Sequence, residues 1–460
     1  MGNLVEDFWN NFCNISKIPR QSGKEEKIAD FLEKFAKSYD LEVYRDKNNN
    51  VLIKKDGNKE INDNIILQAH MDMVCVKSAE SNHDFEKEGI NVIKEGDLVY
   101  AKDTSLGADQ GIGMAIMLSI LQNSRIKHPN LECLFTTEEE TTFNGAVKFD
   151  YKKLKGKKLI NLDHCEDDSV IIGCDADICN EYILTGKKEH INKPSYKIKI
   201  SGIVGGNSGC ELFNNRTNAI ILMAKILKNL EDINIVDING GQSPEDIANS
   251  CECTIKTDLK NVEEKIKQII NNENINSEEP ILAVETADYE YAFSKNLSDK
   301  IIKQILNSKD QIITKKENDI ISSENLGIIQ TVDNCIKIKG ILRNIDEEEL
   351  EKCNKEKIKL AKDNSFSVSE IYRDSAWNIC KESKLLKIYK ETYYQLERKY
   401  PQVKITHGSI ECSVFSKNIT KVDMISIGSI IENFHTINEK MYFSSCEKII
   451  KLLVKVLEKL

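Results

Sequence analysis

Three short apolar runs in this chain each end in side chains that carry charge or bind protons. ILQA runs into His70 and Asp72, LECLFTT into Glu138, Glu139 and Glu140, and KLINL into Asp163. The β-branched content of these runs predicts strands over Ile65–Ala69, Leu131–Thr136 and Lys158–Leu162, with a shorter one over Val51–Lys54. Between them a helix is expected from about Gly111 to Gln122, and Ile28, Phe31, Leu32 and Phe35 mark an amphipathic helix over Glu25–Tyr39. Strands alternating with helices define an α/β layer. The carboxyl ends of the strands in such a sheet form the rim where ligands bind, and that rim is where these residues fall.

From about Asn180 the texture changes to Lys-, Glu- and Asn-rich segments, with alternation in Tyr196–Ile200, a helix over Ala219–Leu230 and a strand–helix pair around Ile336–Lys359. Strong helix (Ile388–Arg398) and strand (Met424–Ile427) patterns return after about Asp374. A last amphipathic helix, with Ile449, Leu453, Val456, Leu457 and Leu460 on one face, is suited to cover the first sheet. The reading is one domain inserted into another: a catalytic domain over 1–183 and 377–460, and an inserted α+β domain over 184–376.

Composition excludes several classes. The 64 Lys+Arg against 74 Asp+Glu leave a net charge of -10, which repels nucleic acid and anionic membrane surfaces. The longest apolar stretch, Ile112–Leu121, is too short to span a bilayer, and the first residues lack the pattern of an export signal. Fourteen Cys under these conditions imply a reducing compartment, so a cytoplasmic location is expected. Cys251 and Cys253 share one face of a strand and read as buried thiols, because no further ligands for a metal accompany them.

Each rim residue has an ordinary structural role open to it. Asp109, in LGADQGIG just before a helix, suits a helix cap; the Glu triplet suits a solvated turn; His70 suits a hydrogen-bonded strand end. Together they form a nitrogen and oxygen donor set fitted to Zn²⁺ or Mn²⁺, with too many carboxylates to stand side by side without cations. His435, in ENFHTINEK after the Met424–Ile427 strand, is the best placed further donor, and His164 beside Asp163 is its rival.

The segments LQAHMDMVCVK, DTSLGADQGIGMA, LFTTEEE, LINLDHCEDDSVIIGC, HGSIECSVF and FHTINEK resemble those of the cytosol non-specific (aminoacyl-histidine) dipeptidases. These belong to the co-catalytic zinc peptidases that include carnosinases and glutamate carboxypeptidases, and the likeness runs over nearly the whole chain. It implies a mixed sheet flanked by helices with an inserted α+β lid, hinge motion between the two, and two divalent ions, zinc or alternatively manganese or cobalt. By that resemblance Asp109 bridges the ions, about 3.5 to 4 Å apart, with His70 and Asp163 on one and Glu140 and His435 on the other. Asp72 orients the His70 imidazole, and Glu139 is the general base toward the metal-activated water. The family's E-E-x-G-x-x-G-A puts its last Gly five positions after its second Glu, as Gly145 is after Glu140, which selects Glu139 over Glu138.

Departures fall on the substrate side. The family's G-G-H-S-G reads Gly205, Gly206, Asn207, Ser208, Gly209, so an oxyanion-binding His becomes a neutral Asn. Glu245 replaces a substrate-contacting Asn, Thr142 replaces a Gly, and Asp175 to Asp177 replace small residues. Arg343 matches an arginine that holds a peptide carboxylate, His407 and Glu411 match a segment near the substrate, and Arg216 and Asn218 match a lid motif. The expected activity is hydrolysis of dipeptides, small peptides being the partner, with a homodimer contact available through the lid. Two alternatives stand beside it: hydrolysis of N-acyl amino acids or other small amides, and a metal-containing peptide-binding or assembly protein weakened in turnover by Asn207 and Glu245.

Overall fold

The computed structural model describes residues 2–59, 63–209, 216–273, 280–309, 311–316, 319–380 and 382–460. It divides into two compact units, one of residues 1–173, 377–405 and 410–460, the other of 174–376 and 406–409. The first boundary thus falls ten residues before the one read from sequence. Strand Ala176–Thr185 is the reason: it runs between Cys335–Asn344 and Ser367–Asp374, inside the second unit's sheet.

In the first unit an eight-stranded sheet has the order Glu42–Arg45, Val51–Lys55, Asn130–Thr136, Asn64–His70, Lys158–His164, Asp423–Gly428, Ser169–Cys174, Gln402–Thr406. Strands 130–136, 64–70, 158–164 and 423–428 run parallel to one another, so their carboxyl ends share one rim. The register pairs His70 with Thr136 and Gly428 with His164. A Cβ on Gly428 would overlap the His164 backbone, so glycine permits this close approach of the two rim strands.

Helix Ala108–Gln122 is regular only from Gly111, where its periodicity places the start, because Asp109 and Gln110 have non-helical backbone angles; it is buried through Leu121, between helix Gly2–Ser16 and the parallel strands. An apolar surface on all sides explains that position. Helix Glu26–Ser38 buries Ile28, Ala29, Leu32 and Ala36 against the 42–55 hairpin. Helix Phe443–Lys459 buries Ile449, Leu453, Val456 and Leu457 and packs on strand 423–428 and helix Lys384–Glu397, while Leu460 is only partly buried. Each such side chain contributes about 1.5–3 kcal/mol on burial.

The second unit is a largely antiparallel sheet, ordered Ile281–Ala287, Ser195–Ser201, Cys251–Lys256, Asn234–Gly240, Asp319–Val332, Cys335–Asn344, Ala176–Thr185, Ser367–Asp374, with Gln311–Lys316 pairing 319–332. Helix Ala219–Asn229 buries residues 219–224, Ile226 and Leu227, leaves Lys225 exposed, and is capped by Asn218, whose Oδ1 accepts from Ile220 N and Ile221 N. Asn218 also donates to Leu326 O at 2.9 Å, which accounts for it as a helix start. Cys251 and Cys253 are buried in their strand, as expected of inert thiols. Among the described residues, no helix is long and apolar enough to cross a membrane.

Candidate active site

The parallel strands deliver His70, Glu139, Glu140 and Asp163 to the rim, and the loop entering helix 108–122 adds Asp109. Its two carboxylate oxygens face different histidines: Oδ1 is 3.2 Å from His70 Nε2, and Oδ2 is 3.5 Å from His435 Nε2. Asp163 Oδ1 lies 3.7 Å and Glu139 Oε2 4.0 Å from His70 Nε2. Glu140 Oε2 lies 2.9 Å from His435 Nε2. Two donor groups within 4.8 Å emerge, His70 with Asp109 and Glu140, and His70 with Glu139 and Asp163.

Asp72 ties this cluster together from behind. It accepts from Ser22 Oγ at 2.8 Å and from the backbone N–H groups of Glu139 and Glu140 at 3.1 and 3.2 Å. His70 Nδ1 stands 3.4 Å from Asp72 Oδ1, a long approach that leaves this nitrogen without a good hydrogen bond. Glu138 sits at a φ of +55° before the pair, outside the donor groups, with Oε1 accepting from Asn144 Nδ2 at 3.0 Å.

Asp109 is not the helix cap. The regular helix begins at Gly111, after the non-helical Asp109 and Gln110, and the buried N–H groups of the turn before it go to Glu439: Leu106 N (2.7 Å) and Gly107 N (2.9 Å) to Oε2, Ala108 N (2.8 Å) and Asp109 N (3.3 Å) to Oε1. One buried carboxylate thereby satisfies four backbone donors of this turn. Since Glu439 lies four residues after His435, one loop both supplies that histidine and anchors the Asp109 turn. Arg20, also buried, donates to Met71 O (3.0 Å), Asp72 O (2.8 Å) and Gly107 O, joining the His70 and Asp109 segments. Gln110 donates to Asp163 Oδ1 at 3.0 Å and accepts from Gly113 N at 2.9 Å. Sequence reasoning missed Glu439, Arg20 and Gln110. Glu439→Ala strands four backbone donors and is expected to lower the unfolding free energy of the metal-free protein by about 3 kcal/mol. Urea titration reads this, and an unchanged midpoint contradicts the anchoring role.

Electrostatics follow from burial and crowding. Burial opposes the Asp109 charge, but His435 and His70 outweigh it and hold the carboxyl well below its usual range. Burial pushes Glu139 well up, against His70 and with help from Asp163 and Glu140; burial and the Asp109 charge do the same to Asp163, and to Glu140 more weakly. His435 is raised to about 10 because Asp109 and Glu140 overcome its burial. Without cations Glu139, Asp163, Glu140 and the two imidazoles therefore retain protons around an ionised Asp109. Two imidazoles and four crowded carboxylates fit divalent transition ions by donor chemistry, since such ions replace those protons.

The rival His164 donates to or accepts from Ser169 Oγ at 2.6 Å and takes no part in the donor groups. Glu411 is buried in the first unit, where Oε2 accepts from Gln68 Nε2 (2.6 Å) and Thr136 Oγ1 (2.8 Å) and Oε1 has no partner. Burial, only partly offset by Thr136 and His70, pushes it up to about 8.

Asn207, Arg343 and His407 belong to the second unit. Asn207 is exposed, and its Oδ1 accepts from Gly209 N at 2.8 Å. Arg343 is buried, with Nη1 donating to Ser208 Oγ at 2.8 Å. His407 is buried between Ser323 Oγ, 2.6 Å from Nε2, and Asp175 Oδ2, 2.8 Å from Nδ1. Opposite Arg343 in the ladder, Asp177 is pushed from 3.8 up to about 7, by burial first; Arg343 opposes this, while Asp374 and Asp175 add to it. The folded state then holds a proton that the unfolded chain releases, so this group's contribution to stability falls as pH climbs from about 4 through 7. Urea unfolding across that range should show wild type losing stability relative to Asp177→Asn. A difference independent of pH contradicts the raised value.

Residues 66–459 match the model of Peptidase family M20/M25/M40. The chain belongs to this family and is a metallopeptidase. It is 28% identical to the cytosol non-specific dipeptidase of Escherichia coli (strain K12) over 473 residues, covering 99% of this chain and 98% of that protein. The crystal structure of aminoacylhistidine dipeptidase from Vibrio alginolyticus is similar with a TM-score of 0.84 at 25% identity, over 99% of this chain and 96% of that one. The dipeptidase Dug1p of Saccharomyces cerevisiae shares the fold, with a TM-score of 0.54 at 13% identity over 99% and 96%.

Proposed function

We propose that this chain hydrolyses dipeptides at a centre built on Asp109. The observation that carries the reading is the single carboxylate whose two oxygens face His70 and His435 separately. His70, Asp109 and Asp163 would hold one divalent ion, and Asp109, Glu140 and His435 the other. When bound, such a pair supplies Lewis acidity toward a carbonyl and acidifies water. Zinc suits the imidazole–carboxylate donors best, with manganese and cobalt as substitutes.

Glu139 takes the proton from the attacking water and delivers it to the departing amine. Its side chain is 12% exposed, so it reaches the rim while remaining largely out of bulk water. Asp72 fixes Glu139 and Glu140 through their backbone N–H groups and stands behind His70, so one carboxylate sets the aim of base and imidazole alike. Gln110 holds the Asp163 carboxylate in place. By the family resemblance the substrate-side residues are Arg343, suited to a peptide's terminal carboxylate, Asn207, a neutral hydrogen-bond donor, and His407, all in the second unit, with Glu411 in the first.

Support for dipeptides over other amides comes from the coverage of the whole chain by dipeptidase relatives. The test is a turnover panel of dipeptides beside N-acetyl amino acids, with zinc or manganese added. Dipeptides are expected to be cleaved with kcat/KM at least about tenfold higher. Faster cleavage of the N-acyl compounds overturns the reading.

A further inference from the structure

Residues 137–140 carry the proposed base and one proposed ligand, and the backbone N–H of each goes to a buried side chain from elsewhere in the first unit. Thr137 N donates to Asn50 Oδ1 at 3.2 Å, Glu138 N to Glu25 Oε1 at 3.1 Å, and Glu139 N and Glu140 N to the two oxygens of Asp72. Asn50 also donates to Gly145 O at 2.9 Å, and Gly145 N donates to Thr137 O at 3.1 Å, so the loop is closed at its neck. A Cβ on Gly145 would overlap Thr137 O and Asn50 Oδ1, and glycine permits that closure.

The Glu25 contact falls on the residue just before the base. Glu138 has a φ of +55°, in the left-handed region that a side chain disfavours, so its conformation depends on what holds it. Glu25 is buried and precedes helix Glu26–Ser38, yet its side chain makes no capping bond to that helix. The oxygen that accepts from Glu138 N also accepts from Gly23 N at 2.8 Å, which holds the carboxylate in place. An acid that leaves its own helix uncapped and reaches a turn 113 residues away is accounted for by that turn.

We propose that Glu25 is a positioning residue for Glu139: by accepting the Glu138 N–H, its Oε1 sets the direction in which the base leaves the strand end. This rests on the reading of Glu139 as base of a dipeptidase and adds to it a group that touches neither substrate nor metal. The turn needs an acceptor at the present reach rather than a charge. Two conservative variants separate these properties. Glu25→Gln keeps the acceptor and removes the charge, whereas Glu25→Asp keeps the charge and shortens the reach.

The test is dipeptide kinetics at saturating zinc, with amide hydrogen exchange over residues 137–143 of the same zinc-loaded proteins. Because a misplacement of about 1 Å costs about 10² in rate, Glu25→Asp is expected to lower kcat at least about tenfold, with KM within about twofold. Glu25→Gln is expected to keep kcat within about twofold of wild type. Exchange should quicken about tenfold in Glu25→Asp and stay unchanged in Glu25→Gln. Equal kcat in all three proteins overturns the proposal, as does a Glu25→Gln defect as large as that of Glu25→Asp, or a rise in KM in place of the fall in kcat. Wild type that cleaves no dipeptide overturns the dipeptidase reading instead. Exchange then decides on Glu25: the expected pattern keeps it as the anchor of the loop, and equal exchange in all three proteins overturns both.

Discussion

Glu139→Gln is expected to lower kcat by about 10³, within the range general-base removal produces, while the protein still takes up two divalent ions. The amide keeps the size and hydrogen-bonding reach of the carboxylate but accepts no proton. Glu139 faces His70 at 4.0 Å, and its backbone is fixed by Asp72, so the substitution leaves the surrounding donors where they are. Steady-state kinetics and metal analysis on one preparation check this. Unchanged kcat moves the base elsewhere, and Glu138, one position earlier, is the first alternative to examine. Loss of metal together with rate assigns Glu139 to the ligand set, a role that its grouping with His70 and Asp163 makes chemically coherent.

Removal of metal by a chelator is the second large effect. Glu139, Asp163 and Glu140, crowded around the ionised Asp109, hold protons when cations are absent, as their upward displacement shows. Turnover is expected to fall to background and to return on adding zinc or manganese. Ions that bind the folded state alone also stabilise it, by about 4 kcal/mol at a thousandfold excess over their dissociation constant. The melting temperature should therefore rise on metal addition in wild type and stay flat in Asp109→Ala. Full activity in the chelated protein contradicts the account.

The strand ends, the buried helix and the C-terminal amphipathic helix were legible because each depends on local patterning: β-branched runs of parallel-strand length, or apolar residues at helical spacing. His70, Glu139, Glu140 and Asp163 share a rim because parallel strands put their carboxyl ends together, a topological consequence that alternation alone announces. Asp109 was ambiguous for a physical reason. An aspartate at a helix start satisfies a capping pattern equally well, and the residue that instead accepts the Asp109 backbone N–H and fixes its turn, Glu439, is 330 positions away in the chain. Arg20 was hidden for the same reason, since its partners are backbone carbonyls, which leave no trace in side-chain identity. The domain boundary was displaced because strands Ser169–Cys174 and Ala176–Thr185 are separated by a single residue, Asp175, with no change of composition to mark the passage from one sheet to the next.

The most direct test of the centre is anomalous diffraction at the zinc absorption edge from crystals grown with zinc. Two peaks are predicted, one beside Asp109 Oδ1 with His70 and Asp163, the other beside Asp109 Oδ2 with Glu140 and His435. A single peak that Asp109 does not touch, or no peak among these side chains, contradicts the shared-aspartate centre.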